Sequence, residues 1–264
     1  SQKMPIFIIN GAVGGSRIDQ HQRNEATPVD LTTIYGRILW RVQQARLTHG
    51  IRAVLWHQGE NNQGMAGPTG DYDWKSYQQY FVEMSAAWKN DFPNLRHYYI
   101  FQIWPGACGM GGENGNYLRE KQRTLPLLFS NMDVMPTLGI RPPGTCHYPL
   151  AGWAEFATLM QPLIERDTYG KKIAAAITGP DLKRAYYTNS ARDEVALEFD
   201  QPVVWMDSLA SQFRLDGGEG QVASGTSSGN VIKLRLKEPS TAKIIMYPGK
   251  DWSQDKLIMG ANGI

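Results

Sequence analysis

Apolar and polar positions in the first two-thirds of the chain switch repeatedly between two periods. The continuous run Met4-Pro5-Ile6-Phe7-Ile8-Ile9 reads as a strand covered on both faces. It enters the tight turn Gly11-Ala12-Val13-Gly14-Gly15. Tyr35, Ile38, Leu39, Val42 and Leu47 then recur at helical spacing, with Gly50 just beyond. A second strand, Ala53-Val54-Leu55-Trp56-His57, ends at Gln58-Gly59-Glu60-Asn61-Asn62. A polar, glycine-rich loop follows to about residue 73. The amphipathic stretch 74–89 carries Tyr77, Phe81, Met84 and Trp88 on one face. A third strand over 97–103 leads into the glycine-rich loop 106–116. A helix from about Tyr117, a short strand near 134–138, the loop 141–149 and a helix over 151–164 complete the pattern. Repeated strand–loop–helix units predict an α/β/α three-layer core with a mostly parallel sheet. Ligands of such sheets bind beyond the carboxyl ends of the strands, so the three polar loops are expected to share one rim.

Near Gly170 the period changes. Short alternating strands follow, such as 195–199, 213–215, 231–236 and 243–247, separated by turn clusters such as Asp216-Gly217-Gly218. The Ser/Gly cluster 224–230 reads as a hairpin loop. This half is expected to be a small antiparallel β-sandwich. The domains are expected to be 1–172 and 173–264.

Composition narrows the function classes. Of 264 residues, 42% are hydrophobic and 20% charged, which excludes a disordered chain. The net charge of +2 without a dense basic stripe gives no reason to expect nucleic acid. No apolar run approaches the ~20 residues that span a bilayer, so no membrane partner is expected. Cys108 and Cys146 make neither a disulfide framework nor a metal knuckle. The chain starts without an initiator Met or signal peptide and stops without a polar tail, so the natural polypeptide is expected to extend beyond one or both ends.

Three segments can carry chemistry. Trp56-His57-Gln58-Gly59-Glu60-Asn61-Asn62 gathers amides, a carboxylate and a glycine at a strand end. A glycine admits a ligand close to a backbone N–H, and amide side chains can donate to a developing oxyanion. The same residues also suit a polar turn capping the next helix. Gly14 and Gly15, before Ser16, can present N–H groups to an anion, or form a tight turn with no ligand. They fit neither a dinucleotide fingerprint nor a nucleophile elbow. His147 lies in Gly144-Thr145-Cys146-His147-Tyr148-Pro149, where an imidazole suits general-base work or is simply solvated. His21 and His49 fall on polar segments expected to be exposed, and His97 begins a strand. No histidine pair has helical metal-site spacing and no Cys-x-x-Cys occurs, so neither a metal nor another cofactor is expected.

In this order the segments resemble the SGNH (GDSL-like) hydrolases, and within them the sialate O-acetylesterase-like carbohydrate esterases. Trp56 to Asn62 resembles their Trp-Tyr-Gln-Gly-Glu-Ser-Asn signature, Ala12 to Gly15 their second block, and His147 their catalytic histidine. Tyr117-Leu118-Arg119-Glu120-Lys121-Gln122 resembles a pocket-shaping segment. The resemblance covers about residues 5–165 and implies a flavodoxin-like core with an accessory β-domain. Two departures stand out. The family's Gly-Gln-Ser-Asn block with the nucleophile is absent, and Gly144 stands where an Asp usually precedes the histidine.

The expected function is a serine-type carbohydrate esterase acting on an acetylated glycan. His147 would be the general base and Glu60 a replacement acid partner. Gly14, Gly15, Gln58, Asn61 and Asn62 would serve oxyanion and substrate, and His57, Arg119 and Gln122 would line the pocket. The serine would come from an N-terminal fragment or companion chain that also completes the sheet; Ser16 paired with His147 is a minor alternative. A second class is a non-catalytic carbohydrate-binding protein on a degenerate esterase core. The resemblance implies a secreted or periplasmic setting.

Overall fold

The computed structural model describes residues 6–64, 73–109 and 112–264. Expectations that fall on 1–5, 65–72 and 110–111 lie outside the described residues. The chain forms two compact units: 1–134 with 143–148, and 135–142 with 149–264. This division does not follow the expected boundary at 172–173, because the long helix before it belongs with the β-rich unit.

The first unit is built on three strands, β1 (Ala53–His57), β2 (His97–Phe101) and β3 (Met132–Met135), ordered β1-β2-β3 in a parallel sheet. Ala53 pairs with His97 and His57 with Phe101. Helix α1 (Ile34–Gln44) starts where the Thr33 side chain accepts from Gly36 N–H, a standard N-cap. Helix α2 (Trp74–Asp91) is capped in the same way by Asp73. Both bury the face that the spacing predicts: Tyr35, Leu39 and Val42 on α1, and Tyr77, Phe81, Met84 and Trp88 on α2, around Trp56, Tyr98 and Ile100. Helix α3 (Glu113–Thr124) begins one turn earlier than expected. β3 lies slightly upstream of the expected 134–138.

The expected strand over 6–10 is not a strand. Ile6, Phe7 and Ile8 are 71%, 75% and 85% exposed, and their backbone bonds to nothing among the described residues. A covered strand needs neighbours that take up its backbone hydrogen bonds, and among the described residues segment 6–10 joins no sheet, with β1 paired to β2 alone. The segment is anchored towards its end, where Ile9 packs against the core and Arg41 donates to the Asn10 carbonyl at 2.7 Å.

The second unit contains helix α4 (Leu150–Tyr169), stopped by Gly170 in the left-handed conformation at φ 66°, as helix ends commonly are. Four antiparallel strands follow, ordered β4-β5-β9-β8: β4 (Leu182–Tyr187), β5 (Glu194–Phe199), β8 (Val222–Ser228) and β9 (Val231–Leu236). Two small ribbons pair β6 (Val203–Val204) with β11 (Met259–Gly260), and β7 (Arg214–Leu215) with β10 (Ile245–Met246). The expected hairpin loop 224–230 is mostly strand β8, and only Gly229 and Asn230 turn. Small residues there serve packing, since a Cβ on Gly225 would sit 2.5 Å from the Trp205 ring. Val195, Leu197, Ile232, Leu234 and Phe213 form this unit's core. Among the described residues, no helix is long and apolar enough to cross a membrane.

Gly36 offers a sharp test of the α1 start. A Cβ there would lie 2.1 Å from the Asp30 carbonyl oxygen, and backbone cannot yield as a side chain does. Gly36→Ala is expected to cost about 3 kcal/mol, read as a lowered urea midpoint of the first unit's transition.

Candidate active site

The turn after β1 is assembled around Gln58. Its carbonyl accepts from the Tyr77 hydroxyl at 2.8 Å and from Gln122 Nε2 at 2.9 Å. Trp56 Nε1 donates to the same Tyr77 oxygen at 3.1 Å, and Gln122 Oε1 accepts from Ile103 N–H at 2.9 Å. These groups are buried, and each missing bond there would leave an orphaned polar atom costing about 1–3 kcal/mol. Burial also pushes the Tyr77 hydroxyl upward, so it stays protonated. Gly59 follows with φ 149°; a Cβ on it would lie 2.9 Å from Gln122 Nε2, so both conformation and space call for glycine.

Side chains of this turn hold the glycine turn across 42 to 46 residues of sequence. Gln58 Nε2 donates to Ser16 O at 3.1 Å and to Asn62 Oδ1 at 2.7 Å. Asn62 Oδ1 also accepts from Ile18 N–H at 3.0 Å, and Asn61 Nδ2 donates to Gly15 O. Gln58 has then spent both amide protons, so it positions the loop and has none left for an oxyanion. The N–H groups of Gly14 and Gly15 make no bond among the described residues and lie at the surface.

The loop that carries His147 is tied to the same turn by a short chain of contacts. Gln63 Nε2 donates to Glu60 O at 2.9 Å and to Ala107 O at 3.2 Å. Cys108 is disulfide-bonded to Cys146, and Cys108 N–H donates to Thr145 O at 2.9 Å. Tyr148, buried, packs its ring against His57 with centroids 5.8 Å apart and against Trp104 at 6.2 Å. His147 sits between Cys146 and Tyr148 with its side chain exposed. The loops after β1 and β2 and the 143–148 loop thus meet in one unit.

The remaining sequence-selected residues divide. Glu60 Oε1 lies 3.3 Å from His57 Nε2, so the carboxylate faces His57. Burial holds the His57 imidazole below its ordinary range, with Glu60 opposing. Arg119 and Gln122 are buried. Arg119 Nη2 donates to Gln102 Oε1 at 3.3 Å, and Gln102 Nε2 returns to the Arg119 carbonyl at 2.9 Å. Gln122 shapes the site from beneath through Gln58.

Two features escape sequence reasoning. The cysteines pair with each other, which a spacing of 38 residues does not announce. His21, expected on the surface, is buried edge-on against Trp56, with ring centroids 5.0 Å apart. Its Nε2 lies 2.7 Å from Ser16 Oγ. A polar neighbourhood in sequence hid it, because the short 3-10 turn Ile18–His21 folds its two end residues inward. Burial pushes the His21 imidazole down to about 4, against the opposing charge of Asp19.

The fold places the chain among mixed α/β proteins, with the candidate loops following the carboxyl ends of β1 and β2. Its sequence matches the family described as carbohydrate esterase, sialic acid-specific acetylesterase over residues 1–137, and the chain belongs to that family. Its fold is similar to the crystal structure of a carbohydrate acetylesterase from Xanthomonas citri, with TM-score 0.68 and 16% identity. The match covers 93% of this chain and 56% of that one, so the chain spans little more than half of that protein. No curated protein matches the sequence.

Two solution outcomes follow. Unfolded His21 takes up a proton near its ordinary 6.5, whereas the folded residue resists until about 4, so acid favours the unfolded chain. Stability is expected to fall between these values by up to roughly 3 kcal/mol, and His21→Gln should flatten urea midpoints measured across that range. Opening the Cys108–Cys146 bond in Cys108→Ser/Cys146→Ser is expected to cost about 3–4 kcal/mol if native geometry is otherwise kept, read from urea midpoints.

Proposed function

We propose that the protein is a carbohydrate O-acetylesterase that removes acetyl groups from a glycan by a serine-esterase mechanism. His147 is the general base, and the nucleophilic serine comes from a segment preceding this chain or from a companion polypeptide. The observation that carries the reading is the free pair of N–H groups at Gly14 and Gly15, held beside the turn that follows β1. Such donors bind the tetrahedral oxyanion, and losing one typically costs about 10²–10³ in turnover. Asn61, with one amide proton beyond its bond to Gly15 O, supplies a further donor. A serine hydroxyl needs a neighbouring base at neutral pH, which His147 provides. With Glu60 turned to His57, a backbone carbonyl is the simplest partner to orient that imidazole.

An external serine-bearing strand is supported by the open edge of the sheet. Among the described residues β1 pairs with β2 alone, its Leu55 is 56% exposed, and Ile6, Phe7 and Ile8 present apolar side chains to solvent. One apolar strand laid along β1 would satisfy the edge and cover Leu55. The cystine persists best in oxidising compartments, which supports a secreted or periplasmic setting.

An aryl fluorophosphonate, which modifies only activated serines, tests the whole reading on the native polypeptide with any companion it carries. Label is expected on a serine outside residues 1–264, with acetylated xylan and 4-nitrophenyl acetate hydrolysed. His147→Ala should lower kcat by about 10²–10⁴-fold. Label on Ser16 would overturn the external nucleophile. Glycan binding with neither label nor hydrolysis would favour the carbohydrate-binding alternative.

A further inference from the structure

Ser16 and His21 have no part in the mechanism above, yet they meet at the end of the glycine turn. Ser16 Oγ lies 2.7 Å from two groups, the Val13 carbonyl oxygen and His21 Nε2. A hydroxyl has one proton, and a carbonyl can only accept. The proton therefore goes to Val13 O. His21 Nε2 must then carry hydrogen and donate to the serine oxygen. This direction removes Ser16 as a nucleophile, since its proton points away from the imidazole and the imidazole nitrogen facing it is no base.

The bond has a consequence for the turn. Backbone closure of the turn is weak, with Ser16 N–H at 3.4 Å from Val13 O. The side-chain clamp on the same carbonyl is far shorter. Asn61 and Gln58 hold the next two available carbonyls, Gly15 O and Ser16 O. Three carbonyls are thus drawn to side chains, Gly15 takes φ 73°, and the N–H groups of Gly14 and Gly15 are left unspent. His21 is itself fixed, by the Trp56 ring and by Ile18 N–H docking on Asn62 three residues earlier.

We propose that His21 is a positioning residue: through Ser16 it clamps the Val13 carbonyl and presets the Gly14–Gly15 turn to receive the oxyanion. The proposal rests on the esterase reading for its catalytic consequence, but not for the relay. His21 never touches substrate. It acts by keeping donors aimed before the reaction starts, where a small misplacement costs turnover more than binding.

Two arms separate the relay from the esterase reading. Nitrogen-15 NMR of the neutral protein reports the His21 tautomer; pyrrole-type nitrogen at Nε2 and pyridine-type at Nδ1 is expected, and the reverse overturns the proposal. On the native polypeptide, His21→Ala and Ser16→Ala should each lower kcat on 4-nitrophenyl acetate by about 10–100-fold with KM nearly unchanged. The double variant should lose no more than either single one, because both break one relay. His21→Gln, whose Nε2 can donate from a similar position, should recover most of the turnover. Unchanged kcat in His21→Ala, additive losses, or no recovery with Gln would overturn it. If the wild-type protein hydrolyses no ester, the esterase reading falls, and the relay stands or falls on the NMR spectrum alone.

Discussion

Gln58 is the residue on which the site depends, because its two ends face two different problems. Its carbonyl is buried at the end of β1 and takes two donors, Tyr77 and Gln122, from two helices. Its amide nitrogen reaches outward to Ser16 O and to Asn62. One side chain therefore joins the core of the first unit to a loop more than forty residues away in sequence. Inside a low-dielectric core each unpartnered polar atom is costly. That cost explains why Tyr77, Gln122 and Trp56 are all polar-tipped groups gathered around the Gln58 carbonyl, although the Gln58 Oε1 itself finds no partner among the described residues.

The amide-rich turn is thus a scaffold first and a donor set second. A carboxamide that gives both protons to the protein cannot also stabilise charge on a substrate. In the proposed mechanism that burden passes to backbone N–H groups, which cost no side-chain entropy and are aimed by the turn itself. Gly15 can adopt the required positive φ without strain. Its neighbours hold it there through their carbonyls.

The second tie is covalent. Cys108 follows β2 and Cys146 lies next to His147, so the bond between them ties an otherwise exposed histidine loop to the loops around Gln58. Tyr148 adds an aromatic contact to His57 from the same loop. Together they give the exposed His147 a defined place while its ring stays accessible.

Much of the frame was legible in the chain itself. Strand β1 and the apolar faces of α1 and α2 follow from periodicity, because a helix or strand must bury one face and the spacing says which. The Trp56–Asn62 signature, carried by residue types in contiguous order, likewise pointed to the family. What the sequence could not determine lies in contacts between distant residues. His21 sits among polar residues and is buried only because a short 3-10 turn rolls it onto Trp56. Ile6, Phe7 and Ile8 have the pattern of a covered strand, yet a strand exists only when neighbours supply its hydrogen bonds, and among the described residues none bonds to this segment. Gln58, Asn61 and Asn62 announce polar chemistry by type. Which of their protons are already spent was decided by the tertiary fold, since an amide's role depends on the carbonyl that reaches it first.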